Sequence, residues 1–391
     1  MEHPRVIPFS CPEPLAEPAE LAELRETEGL ARVRTSTGHP AWLATRYDDV
    51  RSLCADRRIG KSHPDPARAP RLWNAELFAP ERREPEKELD ERRRVRAVVM
   101  STFGRQRIEG LRPSATETCE DLLSGLVARG TTADLVAEFA EPFATDLLFD
   151  YLGIPLTDRE AVRAGIIAVR KPGGSSGMRA QMRSYFHDLM QEKSRNPGAD
   201  ALSEMISRLA SPTDITLLSG FFPALAEYDT IANRIGYGLL ALLAHPGQLA
   251  AVRRDGSLVP SAIEEIMRFA VPGGSWLPRY ALVDFTFQGA DIRRGDLIVC
   301  SAQSANRDSG VFADPDTFDA ARTPNPHLGF GHGKFYCPGA PLSRMMLEIV
   351  IVAVFRRLPN LRLAVPPTEL LVDTGKVTGG LVALPVSWDA N

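Results

Sequence analysis

The stretch His327–Glu348, HLGFGHGKFYCPGAPLSRMMLE, decides how this chain is read. Three glycines, Gly329, Gly331 and Gly333, lead to a single cysteine, Cys337. A backbone without Cβ atoms can lie close against something flat and bulky. Pro338 and Gly339 turn the chain, and an apolar run then opens a long helix, Ala340 to Leu358. A cysteine at the start of a helix meets the positive end of its dipole, which favours the thiolate. No second cysteine or histidine stands at metal-cage spacing, so a metal held here brings its own remaining ligands, as haem iron does. On this loop alone two plainer readings stay open. A lone cysteine is often a small buried apolar residue. A phosphate loop has a similar glycine pattern, but Phe335 stands where it needs Ser or Thr.

Composition narrows the class. The chain has 391 residues, 44% hydrophobic and 25% charged, with a net charge of −4. That supports a large core and gives no basic bias toward nucleic acid. The five cysteines, Cys11, Cys54, Cys119, Cys300 and Cys337, are scattered and odd in number. They exclude a disulfide framework and point to a reducing cytoplasm. The N-terminal MEHPRVIPFSCPEP has no apolar h-region, and no run approaches the roughly 20 apolar residues of a membrane span.

Along the chain, residues 1–20 read as an extended arm. Ala31–Arg34 and Ala41–Ala44 read as strands around a turn at Thr37–Pro40. Tyr47–Asp56 reads as a helix and the proline-rich 60–80 as a loop. The charge run Glu81–Arg96 reads as a helix with a solvated face, on which Arg92 and Arg96 lie four apart. Helices are expected at about 114–129, 139–152, 157–170, Met178–Lys193 and Asp200–Leu209, with a flexible break at Lys171–Gly177. Leu217–Ala244 is apolar on nearly all sides and therefore a buried helix. The carboxylates Glu227 and Asp229 within it need partners or a function, because burying an unpaired charge is costly. Pro260–Ala270 carries Glu265 and Arg268 at i, i+3. Strands are expected at Ala281–Phe287 and Leu297–Ser301, and Asp314-Pro315-Asp316 is a turn.

Phe330-Gly331-x-Gly333-x-Phe335-x-Cys337-x-Gly339 resembles the haem-binding signature of the cytochrome P450 monooxygenases. Glu265-Ile266-Met267-Arg268 resembles the Glu-x-x-Arg of that family's K helix. Ala305–Asp308 and Asp314–Asp319 with Arg322 resemble the segments between the two. The likeness runs over essentially the whole chain. It implies a single cytochrome P450 domain over 1–391, mainly α with small β-sheets. The family's fold is a triangular prism with a long central I helix and the Cys-ligand loop before the L helix. It implies haem b on the Cys337 thiolate, with Phe330, Gly331, Gly339 and Ala226 beside it and Arg92, Arg96 and Arg279 facing the propionates. Asp229 and Thr230 match the acid–alcohol pair that feeds protons to the reaction. Glu265 and Arg268 are expected to join Arg322 and brace the cysteine loop. Two positions depart from the pattern. Glu227 replaces a glycine beside the oxygen pocket, and Phe335 replaces a propionate donor, for which Lys334 or His332 is the available substitute. Trp73, Ser275, Trp276, Leu277 and Gly380 become substrate-wall residues, with core packing an equal reading of Trp276. Thr378–Leu381 becomes a hairpin tip.

By the same resemblance the chain is an oxidoreductase that uses dioxygen and electrons from a ferredoxin and its reductase. A narrower likeness concerns Arg34-Thr35-x-Thr37-Gly38-x-x-Ala41-Trp42-Leu43, Asp56-Arg57-Arg58, Ala69-Pro70-Arg71-Leu72 and Leu152-Gly153-Ile154-Pro155. These are similar to bacterial members that oxidise or couple cyclodipeptides (diketopiperazines). They imply a Trp- or Tyr-containing cyclodipeptide and secondary-metabolite biosynthesis. The alternatives are a hydroxylase of a macrolide or terpene, a peroxide-driven enzyme, and a non-catalytic haem-binding protein.

Overall fold

The computed structural model describes residues 5–10, 13–75, 79–80, 84–171, 173, 177–209, 214–219, 228–373 and 378–390. They gather into two compact units. One is Met1–Asp90 with His245–Cys337, the other Glu91–Ala244 with Pro338–Asn391.

The first unit is built on a sheet whose strands run in the order Val6–Ile7, Leu30–Thr35, Pro40–Ala44, Leu297–Ser301, Trp276–Ala281, Ile59–Gly60. Period-two patterning makes the first hairpin: Ala31, Val33 and Thr35 are buried while Arg32 and Arg34 face water. Its register pairs Leu30 with Ala44 and Arg34 with Pro40. The helix Tyr47–Ala55 buries Tyr47, Val50, Leu53 and Cys54, one helical face, in a core shared with Ile298, Cys300 and Phe312.

Two sequence expectations change here. The N-terminal arm is not extended throughout. Val6–Ile7 pairs with Arg34–Thr35 in parallel, and a helix starts at Ala19, held by buried Leu21 and Leu24. The strand expected at Ala281–Phe287 is two strands. Trp276–Ala281 pairs with Leu297–Ser301, and Phe285–Phe287 pairs with Ala290–Ile292. The break falls at 282–284 because Leu282 gives its N–H to the Arg58 carbonyl, while Asp284 turns out to accept from Arg294 N–H at 2.8 Å.

The second unit is helical: Arg112–Arg129, Glu141–Leu152, Arg159–Arg170, Met178–Arg195, Ala201–Ser207, Tyr228–Ala244 and Ala340–Arg357, with a three-stranded sheet of Thr132–Asp134, Pro385–Ser387 and Arg362–Leu363. Asp200 caps its helix through Ser203 N–H at 2.8 Å. Tyr228–Ala244 is buried on all sides from Ala232 to Leu242. Residues 214–219 are helical as well. Ala226 and Glu227 lie outside the described residues. From Pro85 on, the charge run expected as a helix over Glu81–Arg96 is helical, as Pro85–Thr102, and 81–83 lie outside the described residues. Among the described residues no single helix is long and apolar enough to cross a membrane.

Candidate functional site

The cysteine loop is shaped by its own backbone. Gly331 N–H donates to the Leu328 carbonyl and Cys337 N–H to the Phe330 carbonyl, both at 2.8 Å, so 330–337 closes on itself. Cys337 is half-buried rather than packed away. A Cβ on Gly329 would stand 2.4 Å from the Met267 carbonyl oxygen, so glycine is what lets the loop lie on the Val259–Phe269 helix. Phe330 is buried and its ring packs against those of His327 and Tyr336 at 6.0 and 6.2 Å.

Glu265 and Arg268 are both fully buried and form a two-pronged pair at 2.7 and 2.8 Å. Arg322 reaches the same carboxylate at 3.1 and 3.2 Å. Arg268 also donates to the carbonyls of Asn306, Pro315 and Thr317. Asn306 in turn accepts from Leu328 N–H at 2.7 Å, so the cluster tethers the base of the cysteine loop as expected. One carboxylate between two guanidiniums is tolerable inside a protein because the surplus positive charge is spent on backbone carbonyls.

Arg279 is buried on the Trp276–Ala281 strand. Its Nη1 donates to the Pro278 carbonyl at 2.6 Å, and its guanidinium lies 4.2 Å over the Phe335 ring. Lys334 is no substitute for the donor missing at Phe335. Its Nζ is bound to the carbonyls of Asp56 and Ile59 at 2.8 and 2.6 Å, which draws it to the end of the Tyr47–Ala55 helix. Partial burial, with the Arg51 charge adding, holds the His332 imidazole below its ordinary value. Trp276 is buried with its ring edge-on to Phe9, Leu277 packs on the sheet core, and Trp73 is buried. Ser275 has φ +42° at the end of a tight turn.

In the second unit Arg92 and Arg96 are half-buried, while Arg94 pairs with Asp214 at 3.1 Å. Asp229 is buried and its charge has a partner: its carboxylate is ion-paired with Arg170, itself only 1% exposed. The other carboxylate oxygen accepts from Thr378 Oγ1 at 3.0 Å. Thr230, next in the helix, is exposed. One turn on, Asn233 Nδ2 donates to the Gly379 carbonyl at 2.8 Å. Val372 bridges Leu381 and Asp373 N–H donates to the Gly380 carbonyl, so 371–373 pairs with 380–382 where a hairpin tip was expected at Thr378–Leu381, and 374–377 lie outside the described residues. Gly380 has φ +127°, and a Cβ there would stand 2.2 Å from Asn233 Oδ1. The tip, expected to touch substrate, packs on the Tyr228–Ala244 helix at Gly379 and Gly380.

Arg170 did not stand out in the sequence, and Thr378 did so only as part of a hairpin tip, not as a partner of Asp229. Arg170 carried a usable signal: it lies at i+4 from Ile166 on the stripe Val162, Ile166, Val169, where a charge needs an explanation. Thr378 carried none, because only the tertiary fold brings it to Asp229.

A family model described as Cytochrome P450 matches residues 223–369. Mycinamicin IV hydroxylase/epoxidase of Micromonospora griseorubida is 32% identical over 98% of this chain and 99% of its own length. The chain belongs to the cytochrome P450 family. Pentalenolactone synthase of Streptomyces exfoliatus is 34% identical over 99% of this P450 and 100% of that relative. A solved polyene macrolide antibiotic pimaricin epoxidase superposes with a TM-score of 0.88 at 32% identity, covering 99% of this P450 and 100% of that chain. The P450 is thus a monooxygenase of bacterial secondary metabolism, an oxidoreductase of EC 1.14 type that carries haem on a cysteine thiolate. The narrower likeness to cyclodipeptide-oxidising members is not supported by these relatives, none of which is named for a cyclodipeptide.

Proposed function

We propose that this P450 hydroxylates or epoxidises a macrolide or other polyketide scaffold, with Cys337 as the axial ligand. The observation that carries the ligand assignment is the closed 330–337 loop, which presents one half-buried sulfur. The donor set fits haem. Among the described residues no group of three His, Cys, Asp or Glu side chains is placed to hold a metal ion, so a lone thiolate serves a metal that arrives with its other ligands. When bound, the haem supplies dioxygen activation that the thiolate's electron donation favours.

The remaining work falls to side chains. Arg279, beside the cysteine loop in its own unit, would hold a propionate. Phe335 gives up one such contact, and its ring instead orients the Arg279 guanidinium. The Asp229 carboxylate takes up a proton in passing, and the exposed Thr230 hydroxyl hands it on. The Arg170 pair keeps the Asp229 carboxylate oriented in a buried setting. Electrons come from a ferredoxin and its reductase, as is typical of bacterial members. The macrolide reading rests on the relatives, and a spin-state titration tests it. Mycinamicin IV and a polyene macrolide are expected to shift the haem toward high spin. A shift with aromatic cyclodipeptides alone would return the substrate to that class.

A further inference from the structure

We propose that Thr378, on the C-terminal hairpin, is a positioning residue for Asp229 and the point at which protons reach it. The inference rests on the proton-relay reading of Asp229 and deepens it. Both carboxylate oxygens of Asp229 are engaged, one by Arg170 and one by Thr378 Oγ1 at 3.0 Å. The two partners differ in what they can do with a proton. A guanidinium only donates and stays charged, so Arg170 holds the carboxylate and passes nothing. A hydroxyl both donates and accepts. Arg170 is 1% exposed and Asp229 8%, whereas Thr378 is half-buried. Among these three groups, the amphoteric one is also the most exposed.

The hairpin is fixed for this role. Asn233 Nδ2 holds the Gly379 carbonyl at 2.8 Å, and Gly380 lets the tip come so close that any Cβ would meet Asn233 Oδ1 at 2.2 Å. Asp229 and Asn233 are one turn apart, so the contacts that seat the tip also set the Thr378 hydroxyl on the acid. In the step, a hydronium ion in solvent gives a proton to Thr378 Oγ1 and is left as water, while the hydroxyl's own proton moves to Asp229 Oδ2. One proton crosses from solvent to the carboxylate, with no change in oxidation state.

The test compares T378V, T378S, D229N and T230A in haem-loaded enzyme. The probe is a plant-type [2Fe–2S] ferredoxin with its reductase, without organic substrate, and the readout is the share of consumed dioxygen released as hydrogen peroxide rather than water. T378V is expected to raise the ratio of peroxide to water at least about tenfold, as loss of a proton-transfer group does, and T378S to restore it. A second readout is independent of turnover. In urea unfolding, T378V is expected to lower the folding constant about tenfold, the worth of a hydrogen bond to a charged group, and by much less in the D229N background. If T378V does not take up haem, T378A serves in its place. If D229N and T230A raise peroxide but T378V does not, the Thr378 assignment is overturned and the relay stands. If D229N and T230A also leave peroxide unchanged, the relay reading falls with it.

Discussion

At the scale of single residues, the informative positions are those that break the family's pattern. Phe335 cannot donate to a carboxylate, yet its ring lies under Arg279 at 4.2 Å. A partly buried cation–π contact contributes about 0.5–2 kcal/mol, so F335L should speed haem transfer to apomyoglobin roughly two- to thirty-fold. F335H, which restores a donor, should slow it below the wild-type rate. An unchanged rate in F335L would remove the clamp from the account. His332 gives the loop a pH dependence. Its folded imidazole titrates below the ordinary value of 6.5, because partial burial disfavours the charged form. As pH falls below that value, the unfolded chain takes up a proton that the folded loop resists. Stability therefore declines on the acid side. The melting temperature should fall between about pH 7 and about pH 5.5, and H332N should flatten part of that slope. An H332N slope equal to wild type would assign the acid loss elsewhere.

At the scale of elements, the structure rests on two clamps. The Glu265–Arg268–Arg322 cluster fastens the Val259–Phe269 helix to the base of the cysteine loop. Removing the carboxylate leaves two guanidiniums without their shared anion, one of them fully buried. E265Q should lose about 3–5 kcal/mol in urea unfolding, with haem loss following. A loss under about 1 kcal/mol would make the cluster equivalent to a surface pair. The second clamp is the hairpin tip on the Tyr228–Ala244 helix. G380A adds a Cβ at φ +127° against Asn233 and should cost about 1–3 kcal/mol. N233A should relieve part of that cost, because it removes the atom in the way. The first clamp was legible in sequence because i, i+3 charges on an otherwise apolar helix are a local pattern. The second was only half legible: the hairpin was foreseen, but its seat on the helix depends on residues well over a hundred positions apart. The break at 282–284 and the helix at Ala19–Thr27 were missed for a similar reason. The break takes its hydrogen bonds from Arg58 and Arg294, and the helix is held by the burial of Leu21 and Leu24, tertiary contacts that local periodicity does not record.

At the scale of the whole molecule, several motifs taken together identified the family, and relatives along the full chain bear it out. The brace of Glu265, Arg268 and Arg322 was readable because chemistry restricts which residue types serve there. Substrate class was not. Many apolar side chains can line a substrate pocket, so short stretches such as Arg34–Leu43 pointed to cyclodipeptides, a reading that the relatives along the whole chain do not support. The central claim is that one sulfur, Cys337, ligates the haem. The most direct test is the absorption spectrum of the reduced, carbon monoxide-bound protein, wild type beside C337S. Wild type should show the red-shifted Soret band of thiolate ligation. C337S should lose it while C54S, C119S and C300S keep it. A thiolate band surviving in C337S would place the ligand on another residue and contradict the account.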